Sequence, residues 1–126
     1  MADIHQELSF NASPDAVYKA LTDSKEHGAF TGEPADIGRD GEKWSAYGGK
    51  ISGRNIEFVP GKRIVQTWRA GNWAEGVHSL VRFELTAEGK GTKLVLDHSG
   101  VPAEGGAHVD GGWHRMYWEK LAKHLG

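Results

Sequence analysis

Three of the largest side chains in this sequence, Trp113, Tyr117 and Trp118, fall within one C-terminal stretch, Gly112 to Leu125. At about 100° per residue, a helix over this stretch gathers Trp113, Tyr117, Trp118, Leu121, Ala122 and Leu125 on one half of its circumference. Arg115, Glu119 and Lys123 fall on the other half. Met116 lies just outside the apolar arc, and Lys120 can run along its edge with the ammonium in water. Two histidines enter the pattern: His114 lands near the middle of the arc and His124 near its edge. Three large aromatics on one helix need a wide surface to cover them, and a twisted sheet offers one. The rest of the chain reads as the making of that sheet.

From Ile4 to Phe10 apolar and polar residues alternate, the period of a strand. Ser13 before Pro14 is a helix start: the hydroxyl caps the first amides, and proline suits the first helical position. A helix is predicted from Pro14 to about Thr22 with Val17, Ala20 and Leu21 inward, and a second short one from Ser24 to Ala29. Residues 30 to 41, rich in Gly, Pro and Asp, read as loop. The period of two then returns over 42–47, 50–59, 62–68, 78–86 and 92–99. The breaks between these strands are Gly48-Gly49, Pro60-Gly61, the loop Gly71 to Gly76, and Glu88 to Gly91. Such short connections make an antiparallel meander. Residues 100 to 111 read as a glycine-rich loop leading to the final helix. The expected fold class is α+β with a helix-grip architecture. In it a curved antiparallel sheet of about six strands wraps the long C-terminal helix, two short helices follow the first strand, and a cavity remains between helix and concave face. With 126 residues and no long linker, the chain is read as one domain over 1–126.

Bulk properties narrow the function classes. A formal charge of −2 makes no electrostatic case for nucleic acid or an anionic membrane. No apolar run is long enough to span a bilayer, and the start of the chain has no leader pattern, so a cytoplasmic protein is expected. Without cysteine there is no disulfide, thiolate nucleophile or cysteine-ligated zinc.

The segments Gly48 to Gly53, Glu57 to Arg69, Asn72 to Gly76, Gly91 to Leu94, Ser99 to Pro102 and Gly112-Trp113 resemble, in order and spacing, a known family. It is the C-terminal domain of the activator of heat-shock protein 90 ATPase, in the START-like (SRPBCC) superfamily. Ala12 to Asp23 is similar to that superfamily's opening. The resemblance implies the helix-grip fold and a heat-shock protein 90 homologue as a partner. Relatives of the fold include hydrophobic-ligand carriers and polyketide cyclases. The eukaryotic activator also has a separate N-terminal domain that docks on the chaperone. Nothing in these 126 residues corresponds to it, so the resemblance implies homology to the auxiliary domain.

The residue types of several catalytic motifs occur without their geometry. Glu88 to Lys93 lacks the spacing of a phosphate loop and precedes a strand. Asp97-His98-Ser99 holds the types of a hydrolase triad, but neighbours on a strand face opposite ways and cannot converge. The histidines show no metal-binding spacing, although His78, His98 and His114 could meet at the cavity mouth in a favourable register. No metal or cofactor is implied. The tryptophans and tyrosines instead suggest walls for a flat or elongated apolar ligand, with His114 as a placed polar group. The candidate ligand-binding residues are Trp44, Trp68, Trp73, His78, His98, Trp113, His114 and Tyr117. Binding of a hydrophobic small molecule is the expected function. The alternatives are a co-chaperone-like module acting on a heat-shock protein 90 homologue, and a polyketide cyclase- or hydrolase-like enzyme using His114.

Overall fold

A computed structural model describes residues 2–126. Strand β1 (Ala2–Phe10) is followed by helices α1 (Pro14–Thr22) and α2 (Ser24–Thr31). Five strands follow: β2 (Lys43–Ala46), β3 (Ile51–Val59), β4 (Arg63–Ala70), β5 (Ser79–Glu88) and β6 (Gly91–Val101). They form one antiparallel sheet in the order β1-β6-β5-β4-β3-β2, so the chain meanders outward and the first strand closes beside the last. The starts follow the local chemistry. Ser13 Oγ accepts the Ala16 amide 3.2 Å away, and Asp23 ends α1 while its carboxylate takes the Lys25 amide at 2.9 Å to begin α2.

Alternation along the strands builds the concave face. Ile64, Gln66 and Trp68 of β4, Val81, Phe83 and Leu85 of β5, and Leu94, Leu96 and His98 of β6 are buried, while the residues between them, among them Thr67, Arg82, Glu84 and Asp97, turn outward. The registers Ile64↔Phe83, Phe83↔Leu96 and Val81↔His98 carry that face across the three strands. Bulges between Ala2 and Ile4 and between Asn55 and Glu57 sharpen the curl at the two sides. At Gly53 the strands come so close that a Cβ would sit 1.8 Å from the Thr67 carbonyl oxygen; the Trp44 indole, which donates to that oxygen at 3.0 Å, uses the same gap.

One boundary differs from expectation. The stretch read as a loop over 100–111 is helical from Gly106: α3 (Gly106–Gly112), a π-turn (Trp113–Trp118) and α4 (Glu119–Leu125) follow without a break and are together the C-terminal helix. Glycines at 106, 111 and 112 are poor helix formers, and tertiary contacts override them. Val109 is buried, and Gln6 Nε2 on β1 donates to the Asp110 carbonyl at 2.9 Å and to its carboxylate at 2.6 Å.

Candidate functional site

The π-turn decides which side chains face the sheet. In a regular α-helix positions 113 and 118 lie about 140° apart around the axis. Here the Glu119 amide reaches back five residues to the His114 carbonyl, and the wider turn brings Trp113 and Trp118 onto the same side. Their indoles stack with centroids 5.4 Å apart and 16° between planes. Trp113, Tyr117, Trp118 and Leu121 then form the inner face. The same rotation carries His114 out of the apolar arc. It is exposed, which corrects the expectation of a polar group buried in the middle of the helix face.

Beneath Trp113 the polar groups form a complete relay. Trp113 Nε1–H donates to His98 Nδ1 at 3.0 Å, so the His98 proton sits on Nε2 and goes to Ser79 Oγ at 2.6 Å. Ser79 in turn donates to the Trp68 carbonyl at 3.1 Å. Burial pushes the His98 pKa down to about 4, so the ring is neutral at ordinary pH. Both ring nitrogens are committed and the residue is 1% exposed, which makes His98 a core support. Trp118 is anchored similarly, donating to Gln6 Oε1 at 2.6 Å.

His27 falls within the short helix expected over Ser24 to Ala29, and nothing in the sequence marks it as a site residue. It lies inside α2, is 2% exposed, and its Nε2 meets the Tyr117 hydroxyl at 2.9 Å. Burial lowers its pKa to about 4 and raises that of Tyr117. No signal of period or spacing marks His27; only the docking of α2 on the C-terminal helix puts it inside.

Tyr47 is the other residue that sequence reading did not single out for its backbone. It has φ 53°, a left-handed conformation disfavoured for a bulky residue, and begins the turn Tyr47–Gly49. Its hydroxyl donates to the carbonyl of Met116 in the π-turn. Burial, and secondarily the Glu33 carboxylate, push its pKa up to about 12. A strained turn and an irregular helix turn are thus tied together by one hydrogen bond.

Beside that tie the sheet and helix part. An open-mouthed cavity of about 450 Å³ lies between the Tyr47–Gly49 turn, the adjoining ends of β3 and β4, the loop carrying Trp73, and the first half of the C-terminal helix. Trp68, Trp73, Trp113, Met116 and Tyr117 supply its apolar wall, and Lys50, Lys120 and Glu33 stand among its polar residues. The Trp73 ring packs edge-on to Trp68 with centroids 5.4 Å apart, and Arg69 holds the loop by donating to the Trp73 and Ala74 carbonyls. The rest of the grip is filled by rings, so the hollow between helix and concave face lies at one end.

Of the eight candidate residues, Trp68, Trp73, Trp113 and Tyr117 line this cavity. Trp44 does not: it is packed in the core against Gly53 and lines a separate cleft toward the outer side of β2 and β3. His78 is exposed and lines that same cleft. His98 lies behind Trp113, and His114 on the solvent side of the helix, so the three histidines do not meet. Among the described residues no group of three His, Cys, Asp or Glu side chains could hold a metal ion. No helix among them is long and apolar enough to cross a membrane.

Comparison with known proteins places this geometry. A curated Dictyostelium discoideum protein, "Activator of 90 kDa heat shock protein ATPase homolog", is 34% identical over 114 residues, covering 89% of this chain and 30% of that protein. The human "Activator of 90 kDa heat shock protein ATPase homolog 1" is 31% identical over 119 residues, 94% of this chain and 35% of its own length. The chain therefore spans about a third of the curated relatives it matches. Among solved structures, an HSP90 activator from Plasmodium falciparum superposes with TM-score 0.93 at 24% identity, over 100% of this chain and 97% of that one. CalU16 from Micromonospora echinospora gives TM-score 0.82 at 24% identity, over 98% and 76%. At these identities the two structures speak for the fold, which is the helix-grip fold expected. The family model described as "Activator of Hsp90 ATPase homolog 1-like protein" matches residues 11–126, and the chain belongs to that family.

Proposed function

We propose that the protein binds a hydrophobic small molecule in the cavity between sheet and C-terminal helix, without catalysing its conversion, and that residues 1–126 act as one START-like domain. The observation that supports this is the contrast in filling. Indole and phenyl rings pack most of the grip, yet about 450 Å³ stays open against Trp68, Trp73, Trp113 and Tyr117. That volume is within the range of small-molecule sites, and its apolar wall with a few charged groups at the edge matches their usual composition. His114 lies outside the cavity wall and cannot serve a bound molecule as acid or base. Native mass spectrometry of the protein from its own host tests the binding role, with a carried mass expected. Trp73→Ala should weaken retention at least about tenfold, the equivalent of about 1.4 kcal/mol. A protein that carries nothing and takes up no apolar compound from a library would overturn the reading.

A second reading is a module that acts on a heat-shock protein 90 homologue. It is supported by the names of the relatives, and these describe proteins of which this chain matches about a third. An ATPase assay with the host's chaperone tests it. A rate change on adding the chain is expected, and an unchanged rate together with no binding would remove it.

A further inference from the structure

The wall of the cavity between sheet and C-terminal helix divides into two zones. Its inner residues, Tyr47, Trp68, Trp113 and Tyr117, are each at most 7% exposed, and their polar atoms are turned into the protein. Trp113 Nε1–H donates to His98, the Tyr47 hydroxyl donates to the Met116 carbonyl, and the Tyr117 hydroxyl is paired with His27 Nε2 at 2.9 Å. Trp68 Nε1 is itself buried. The inner zone is therefore ring carbon whose polar atoms are already engaged. A polar group placed against it would lose its water without gaining a partner.

The outer zone is charged. Lys50 and Glu33 are exposed and Lys120 is half-buried, so these groups stand on the solvent side of the cavity. The backbone pins Lys50 in place: its amide donates to the Tyr47 carbonyl at 3.2 Å, and its carbonyl accepts the Gly71 amide at 2.8 Å. Lys120 gives one N–H to the Thr31 carbonyl at 3.3 Å and keeps its other ammonium hydrogens for a further acceptor. Among the described residues neither ammonium lies within ion-pairing distance of a carboxylate. Glu33 is the one acidic side chain lining this cavity, and its charge is felt at Tyr47. Two ammonium groups against one carboxylate leave the rim positive, although the chain as a whole carries a formal charge of −2. His108, also on the rim, adds charge only when protonated.

We propose, building on the binding role above, that the occupant is an amphipathic anion. Its apolar body lies against Trp68, Trp73 and Trp113, and one carboxylate or similar anionic oxygen head is held at the rim by Lys50 and Lys120. A neutral molecule would gain nothing from the two ammonium groups, and a cation would be repelled by them. The single carboxylate of Glu33 sets the limit at one negative charge. The lysine stems can cover part of the body while their heads meet the anion.

Titration of the full chain with 1-naphthylacetate, its neutral amide 1-naphthylacetamide and the cationic 2-(1-naphthyl)ethylamine keeps one apolar body and changes the head. Binding is read by calorimetry and from the indole ¹H–¹⁵N signals of Trp73 and Trp113. The carboxylate should bind about tenfold tighter than the amide, the size of one charge-assisted hydrogen bond, and the amine should bind weakest. Salt at about 1 M should shrink that preference. Lys50→Met and Lys120→Met, which keep an apolar stem, should each cut it to about threefold or less, and Lys50→Glu should turn it toward the amine. An amide that moves the indole signals and binds as tightly as the carboxylate would overturn the anionic head and leave the hydrophobic site standing. So would a preference that survives both methionine variants. If none of the three binds, the assignment is overturned and the cavity itself loses support as a binding site.

Discussion

His98 and His27 are buried to the same depth on opposite sides of the grip, and their surroundings are built differently. His98 sits in a relay in which Trp113, Ser79 and the Trp68 carbonyl satisfy one another without remainder. His27 has one partner, Tyr117, and one nitrogen that no protein atom serves. The difference follows from what holds each side. His98 is clamped between β5 and β1, where ladders on both flanks set the register. His27 comes in on a short helix that docks on the C-terminal helix. Register set on both flanks leaves both His98 nitrogens paired, whereas docking of one helix on another leaves one His27 nitrogen unserved.

The contrast between filled and open parts of the grip is tested most decisively by truncating one packed aromatic and one on the cavity rim. Trp118→Ala removes the indole stacked on Trp113 and leaves Gln6 Oε1 without its donor, and should cost about 3–5 kcal/mol in urea unfolding. Trp73→Ala, on the half-buried rim, should cost about 1 kcal/mol or less. Equal losses would refute the distinction between a packed side and an open one.

Next in size is the acid response. Both histidines titrate near 4 when folded and near 6.5 when unfolded, so between those values the unfolded chain binds more protons. Stability is therefore complete above about pH 6.5 and falls as pH drops toward 4, by about 3 kcal/mol per histidine at most. Urea titrations at neutral pH and near pH 5 measure the loss. His98→Phe should roughly halve its steepness, and an unchanged slope would show that other groups carry it.

At neutral pH His98→Phe should itself cost about 1–3 kcal/mol, because the Trp113 N–H loses its acceptor inside the core. His27→Phe leaves the Tyr117 hydroxyl without its partner but also removes the unserved Nδ1, so it should cost less. The reverse order, read from urea midpoints, would invert the comparison.

A small effect is expected at the tie between the two irregular turns. Tyr47→Phe deletes the hydrogen bond to the Met116 carbonyl and should cost about 1 kcal/mol. Faster amide hydrogen exchange confined to the π-turn and the start of α4 should accompany it. Exchange that is unchanged there would show that the tie does not hold the helix.

Much of this was legible beforehand. Ser13-Pro14 placed the start of α1, Pro60-Gly61 and the glycine-containing turn after Glu88 separated the strands, and the period of two marked the faces. Half of the eight candidate residues, Trp68, Trp73, Trp113 and Tyr117, do line the cavity, because large aromatics are what a sheet and a helix present to each other. Trp44 misled because composition does not tell core from wall. His114 misled because a uniform turn of about 100° per residue was assumed where the helix widens.

The chain by itself determined the order of elements and which face of each strand is apolar, since these depend on near neighbours and on a strict alternation. It also determined that the C-terminal segment must lie on the sheet, because no shorter element could cover its rings. The tertiary structure alone decided the helical start at Gly106, the π-turn, the inward place of His27 and the position of the cavity. Each of these is a settlement between side chains far apart in sequence: a helix gives up its regular turn when that lets two indoles share one side, and space is left where the remaining rings cannot meet.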